Sequence, residues 1–269
     1  MNQLITILGR YINILLIVFI FLISGCQVYQ YNANPVTVPL FSEKGNAEAT
    51  ISVNNGIFNE NIAYAFSNHF LAFCNASFYY KTYGPSEPLM GSTNKYLYHS
   101  NKEITGGIGY YYKKNTTHYE ILGGFGYCDD IYKHVEFQYS DGSGDNDTFS
   151  YTAYQYIYFI QPNYGIELGE NSKFALSAKF SLKNYNFTEW IKNNVMSIDY
   201  KGRDFSPESK KQNIYFIEPA ITYRKGSRKI QFQVQAVSPI VISNNDIYIK
   251  RVSIFFGIIL NMDIPKKHN

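Results

Sequence analysis

From Ala47 onward, apolar and polar residues alternate along most of this chain, which is the period-two pattern of strands with one apolar face. Ala47, Ala49, Ile51 and Val53 interleave with Glu48, Thr50, Ser52 and Asn54, and Phe174, Leu176, Ala178, Phe180 and Leu182 with Lys173, Ala175, Ser177, Lys179 and Ser181. Near the end, Ile230, Phe232, Val234 and Ala236 oppose Lys229, Gln231, Gln233 and Gln235, and Val252, Ile254, Phe256, Ile258 and Leu260 oppose Arg251, Ser253, Gly257 and Asn261. The pattern predicts ten strands, over 47–54, 61–66, 70–82, 103–114, 117–127, 150–169, 173–185, 212–225, 228–238 and 248–262. Only Thr188 to Val195 has a spacing that admits a short helical turn.

The connections alternate in length. Tight turns are expected at Ser67 to His69, Asn115-Thr116, Glu170 to Ser172 and Gly226-Ser227, and long polar links at 83–102, 128–149 and 186–211. Short turns on one side and long loops on the other are the rhythm of an outer-membrane barrel. The fold expected is therefore all-β, an antiparallel up-and-down barrel of about ten strands, closed between its first and last strands. A two-residue turn at Asn115-Thr116 would pair Tyr112 with Tyr119, Tyr110 with Ile121 and Gly107 with Gly124. A Gly-X turn at Gly226-Ser227 would pair Tyr223 with Ile230, Pro219 with Val234 and Glu218 with Gln235. Proline cannot donate to a ladder. The repeated Phe159-Ile160-Gln161-Pro162 and Phe216-Ile217-Glu218-Pro219, each seven residues before a turn glycine, predict a matched layer with a bulge at each proline and Gln161 and Glu218 on the inner face.

The start of the chain sets the compartment. Arg10 precedes an apolar run from Ile12 to Ile23, too short to span a bilayer and suited to a secretory leader. It ends in Leu22-Ile23-Ser24-Gly25-Cys26, which resembles the lipobox of bacterial lipoproteins and implies lipid attachment at Cys26. The division expected is a signal peptide over 1–25, a lipidated extended tether over 26–44, a barrel domain over 45–264 and a polar tail over 265–269. Aromatic residues make up 17% and charged residues only 17%, a strand-forming composition, and the net charge of +3 gives no basis for nucleic-acid binding.

The stretches "NPVTVPLFSEKGNAEA" (34–49), "IAYAFSNHFLAF" (62–73), "GGIGY" (106–110), "GGFGY" (123–127), "FIQPNYG" and "FIEPAITYRKG" resemble lipid-anchored proteins with outer-membrane-barrel-like domains from Bacteroidetes-type bacteria. That resemblance implies an outer-membrane location and no established activity. Gln27-Val28-Tyr29-Gln30 after the cysteine lacks an acidic export signal, which favours the periplasmic leaflet for the anchor. An even strand count would put both ends of the barrel on the short-turn side, in agreement.

The polar face gathers Glu120, Gln161, Glu167, Lys179, Glu218, Arg224, Gln231, Gln233, Gln235 and Arg251. In a narrow barrel these form a hydrogen-bonded plug, since buried charges need partners; a small solute pathway is the other use for them. Gly107, Gly109, Gly124 and Gly126 share the face and leave it room. No nucleophile elbow or triad pattern appears, so no enzyme is expected. Asp141-Gly142-Ser143-Gly144-Asp145-Asn146-Asp147 lacks the ordered ligands and closing glutamate of a calcium hand, and Cys128, His134 and Glu136 lack zinc spacing. No metal and no cofactor beyond the lipid is expected, and Cys74 and Cys128 are expected as free thiols. Two functions remain. One is a non-enzymatic, lipid-anchored outer-membrane barrel with a structural, adaptor or narrow-pore role, its partners membrane lipid and other envelope proteins or a small solute. The other is a soluble periplasmic barrel that turns its apolar set inward around a hydrophobic ligand. The tyrosine-rich face favours the first and Lys173, Lys179 and Lys183 the second.

Overall fold

The computed structural model describes residues 31, 33–83, 94–138, 145–169, 171–193, 211–243 and 252–263. Its regular structure consists of β1 (Asn46–Asn54), β2 (Ile57–Ala65), β3 (Phe70–Tyr83), β4 (Asn94–Lys114), β5 (Thr117–Gln138), β6 (Asp145–Gly169), β7 (Ser172–Asn193), β8 (Lys211–Gly226), β9 (Ile230–Val237), β10 (Ile240–Val241) and β11 (Ser253–Asp263). Neighbours in sequence pair antiparallel from β1 to β8, and β1–β11, β11–β9 and β9–β8 complete the circuit. The two-residue β10 keeps the register of β9 on β8, with Val237 opposite Ala220 and Ile240 opposite Ile217. It is the far end of one strand notched at Ser238-Pro239. The chain thus forms a closed ten-stranded antiparallel barrel.

Several strands run beyond their expected ends. Residues 94–102, 128–138, 145–149 and 186–193, read as loop, lie in β4 to β7, and Thr188 to Asn193 is strand where a helical turn was admissible. Their polar composition is poor for strands, but a ladder on each side supplies every backbone partner, and pairing context overrides local propensity. A connection expected over 55–60 is in fact the two residues Asn55-Gly56, with Gly56 at φ 89°, a left-handed turn position natural to glycine.

The registers test the pattern more finely. Tyr112 faces Tyr119, Tyr110 faces Ile121 and Gly107 faces Gly124, as expected for a turn in which Asn115 adopts φ 54°. At Gly226 the hairpin is wider than expected. Tyr223 meets Val234 rather than Ile230, a slip of four residues, and Gln235 lies opposite Thr222 rather than Glu218. The Ser227 hydroxyl causes this, accepting from the Ile230 amide at 3.0 Å and donating to its carbonyl at 3.2 Å. An even slip preserves every inward and outward assignment.

No bulge marks either proline. Ile160↔Phe180 and Asn163↔Ser177 keep one register across Pro162, and β7 pairs β8 without interruption through Ala178↔Pro219. The Pro219 carbonyl accepts from the Ser238 amide at 3.0 Å. In an antiparallel ladder a residue turns its N–H and C=O toward the same neighbour, so the missing donor of Pro219 faces the Ser238-Pro239 notch.

The two faces of the wall differ in kind. Outside stand Ile51, Ile62, Phe78, Ile108, Phe125, Tyr158, Phe180, Tyr215, Phe232 and Phe256, all exposed and drawn from every long strand. Inside lie the polar residues together with Leu71, Leu122, Ile157, Ile214, Phe216 and Phe255. The reading that turned the apolar set inward is overturned by this arrangement. Lys179 and Lys183, which had supported it, are buried in the lumen.

Candidate functional site

The lumen is occupied by the chain's own N-terminal segment. Residues 33–41 are buried throughout, so this part of the expected tether is not a spacer outside the domain. Prolines at 35 and 39 keep it extended, and Val36, Val38 and Leu40 recur at strand spacing. Those three pack with Ala175, Ile214, Phe216, Ala220, Val237 and Phe255, while Phe41 joins a second cluster with Ala63, Ala65, Leu71, Phe73, Tyr111 and Leu122. A Cβ at Gly165 would collide with Leu40, so the bare backbone there makes room for the segment.

An extended segment without strand neighbours needs partners for its amides and carbonyls. The polar wall supplies them in sequence. Beside the short turns, the Phe41 amide donates to Glu120 at 3.3 Å and its carbonyl lies 3.2 Å from His118 Nδ1. The Pro39 carbonyl accepts from Arg224 at 3.4 Å, and the same guanidinium grips Glu48 with bonds of 2.8 and 3.0 Å and donates to Gln233 at 3.0 Å. The Thr37 carbonyl accepts from Gln161 and from Asn163, and its hydroxyl accepts from Asn61 at 2.9 Å. Gln235 imitates a strand neighbour at Val36, its amide oxygen accepting from Val36 N at 2.8 Å and its amide nitrogen donating to Val36 O at 3.1 Å. Asn34 accepts from Ser77 at 2.9 Å.

At the other end Tyr31 donates to Glu218 at 2.6 Å, its ring centroid 4.5 Å from that of Phe216 and 4.4 Å from the Lys183 ammonium. Tyr31 shares its cluster with Ile57 and Tyr79. Ile57 opens β2 directly after the Asn55-Gly56 turn, which lies on the long-loop side because β1 starts on the short-turn side. The segment therefore enters the barrel from the long-loop end and leaves at the short-turn end. A tether rising to the barrel from the short-turn side, the basis for placing the anchor in the periplasmic leaflet, does not agree with this path.

Several charged groups inside are paired, whereas Glu120 has the Phe41 amide and Asn163 as its partners. Besides Arg224–Glu48, Lys183 lies 3.3 Å from Glu103, Lys179 lies 4.0 Å from Glu218, and Glu167 takes Lys113 at 2.8 Å and His118 at 3.0 Å. Higher up, His99 bonds Asp130 at 2.8 Å, and Gln155 donates to the other carboxylate oxygen at 3.2 Å. Of the residues expected on the polar face, Glu120, Gln161, Lys179, Glu218, Arg224, Gln231, Gln233 and Gln235 are buried within the barrel, and Glu167 is half-buried near the short-turn rim. Arg251 lies outside the described residues, as do Cys26, the leader, the 265–269 tail and Asp141 to Gly144. Asp145 to Asp147 begin β6. Sequence reasoning passed over Glu103 and Asn163, although the parity that selects Gly107 and Gln161 selects them too. It had no signal for Tyr31, whose partner is 187 residues away.

Cys74 and Cys128 are both free, the first exposed and the second buried. Among the described residues no group of three His, Cys, Asp or Glu side chains converges as a metal would require.

No protein-family model matches the chain, and no curated protein matches it. Among solved structures it is similar to OmpT (in-vitro folded), an outer membrane protein of Vibrio cholerae, at 5% identity over 81% of this chain and 96% of that one, with a TM-score of 0.27. Nothing about activity follows from a likeness at that level. The antiparallel barrel rests on the strand pairing itself.

Proposed function

We propose that this chain is a non-enzymatic outer-membrane barrel, lipid-anchored at Cys26, that serves as a structural or adaptor protein of the cell envelope. The outer face carries this reading. Exposed apolar side chains cover every long strand, far beyond the few hundred Å² that a soluble monomer leaves bare. Tyrosines bound the band at two heights. Tyr112, Tyr119 and Tyr164 cluster beside the short turns, with ring centroids 6.5 and 5.5 Å apart, and Tyr127, Tyr154 and Tyr156 cluster higher, at 5.9 to 6.4 Å. Tyr119 and Tyr127 are eight residues apart on β5, about 27 Å along a strand and about 21 Å along the membrane normal at a tilt near 40°, close to the roughly 25 Å apolar band of such barrels.

The filled lumen argues against an open pore, because residues 33–41 lie buried along it and are bonded to its wall from Asn34 to Phe41. A structural or adaptor role needs no passage and leaves the polar rim above the band free to meet other envelope proteins. The test is extraction by salt and alkaline carbonate after the lipid has been cleaved from the purified membranes. Retention of the barrel and absence of steady conductance in planar bilayers are expected. Release into solution would defeat the membrane reading, and a stable ohmic conductance would defeat the closed lumen.

A further inference from the structure

The direction of the threaded segment has a topological consequence. Phe41 lies beside His118 and Glu120, just past the Asn115-Thr116 turn, whereas Tyr31 lies against Phe216, Glu218 and Lys183, eight to twelve residues up their strands from the short turns. Five residues separate Cys26 from Tyr31, which fully extended span at most about 18 Å. From Tyr31 to Ser42 is eleven residues, about 40 Å at the same reach. The lumen between is already filled by the segment itself, so the chain ahead of Tyr31 has neither the length nor the space to return to the short-turn side.

We propose that the lipid on Cys26 lies at the long-loop end of the barrel, in the outer, cell-surface leaflet, and that the chain reaches the opposite side only through its own barrel. This rests on the reading above that the barrel spans the outer membrane with a lipidated Cys26, and it names the lipid surface that the anchor occupies. In such barrels the short turns face the periplasm and the long loops the exterior. Tyr31 shares a buried cluster with Ile57, the first residue after the Asn55-Gly56 turn, and that turn makes the lowest stretch of wall on the long-loop side among the described strands; β4 to β7 rise many residues higher. Eighteen ångström is enough to pass over that low rim and reach adjacent lipid.

The arrangement also gives a physical reason for Gln27-Val28-Tyr29-Gln30 to lack acidic residues. A lipoprotein carried to the surface by a separate exporter needs a signal for it. A chain whose own wall folds around its N-terminal segment arrives with its anchor already on the far side.

The experiment uses the full chain in its outer membrane. A flexible insert bearing a site for a specific protease is placed between Gln27 and Val28, ahead of the buried residues, and an epitope is placed in the 194–210 loop. Cells are fed an alkyne palmitate, then treated intact with the protease, which does not cross the outer membrane. With the epitope accessible on intact cells, loss of the palmitate label from the barrel band under those conditions is expected. If the epitope is accessible and the label is lost only after the outer membrane is permeabilised, the anchor is periplasmic and this proposal falls while the membrane barrel stands. A barrel that never takes up palmitate, is released by carbonate, or hides the loop epitope on intact cells overturns the proposal together with the reading beneath it.

Discussion

Phe159-Ile160-Gln161-Pro162 on β6 and Phe216-Ile217-Glu218-Pro219 on β8 flank β7 at the level of Ala178, and each turns an aromatic ring and a polar head group inward while its isoleucine and proline face outward. The frames match, yet the head groups work differently. Gln161 is neutral and meets only neutral partners, the Thr37 carbonyl and Asn163. Glu218 accepts from the Tyr31 hydroxyl, and its other oxygen faces the Lys179 ammonium at 4.0 Å. The rings differ as well, since Lys179 stands 4.7 Å over Phe159 while Phe216 packs at a tilt against Tyr31, with Lys183 5.8 Å from its centroid. One backbone solution thus serves two levels of the same threaded segment. An amide suffices where it meets a carbonyl, and a carboxylate is used where it must hold a phenol and balance a lysine.

If that contrast is right, truncating the charged head should do most harm. Glu218→Leu removes the acceptor of Tyr31 and strands the buried Lys179, so a loss of about 3–5 kcal/mol is expected, read as a lowered denaturant midpoint in detergent. The double variant Glu218→Leu/Lys179→Met should recover a good part of it. A double variant no better than the single one would show that Lys179 is not the partner that matters. Gln161→Leu should cost less, about 1–2 kcal/mol, because the Thr37 carbonyl keeps its bond from Asn163 at 3.1 Å. Equal losses for the two head groups would erase the distinction between them. Pro162→Ala and Pro219→Ala come last, each within about 1 kcal/mol, since both prolines lie in register with no bulge to support. A large effect of either on the midpoint would mean that ring packing or a fixed φ does more than the ladder indicates.

How much of this the sequence discloses depends on how local the cause is. The ring of strands follows from alternation and turn chemistry, and the Asn115-Thr116 register can be counted out on paper. The slip at Gly226 escapes because period two is blind to even shifts, and the Ser227 hydroxyl that sets it looks like any turn serine. The inward heads Gln161, Glu218, Arg224 and Gln235 follow from parity. Their purpose does not, because what they bind is the N-terminal segment, up to 199 residues away, as between Val36 and Gln235. The stretch from Asn34 to Phe41 reads in sequence as an extended tether, and in the structure Leu40 interrupts extended backbone at φ 55°. It was misplaced because extended, proline-bearing chain looks the same in solvent as in a lumen, and only Val36, Val38 and Leu40 at alternate positions hinted at a packed face.

The seam between β1 and β11 acquires a meaning in time as well as in space. With residues 33–41 bonded to β2, β3, β5, β6, β8 and β9, a wall completed first could be filled only by threading the N-terminal end through the lumen. The N-terminal segment is therefore an early guest around which the strands gather, and β11 is the last stave. Contacts of such sequence separation are slow to form, because their loops close before any packing rewards them. Until β11 arrives, β1 and β9 each present an unpaired edge, so the closing of that seam is the step at which a chain still open to mispairing becomes a finished barrel.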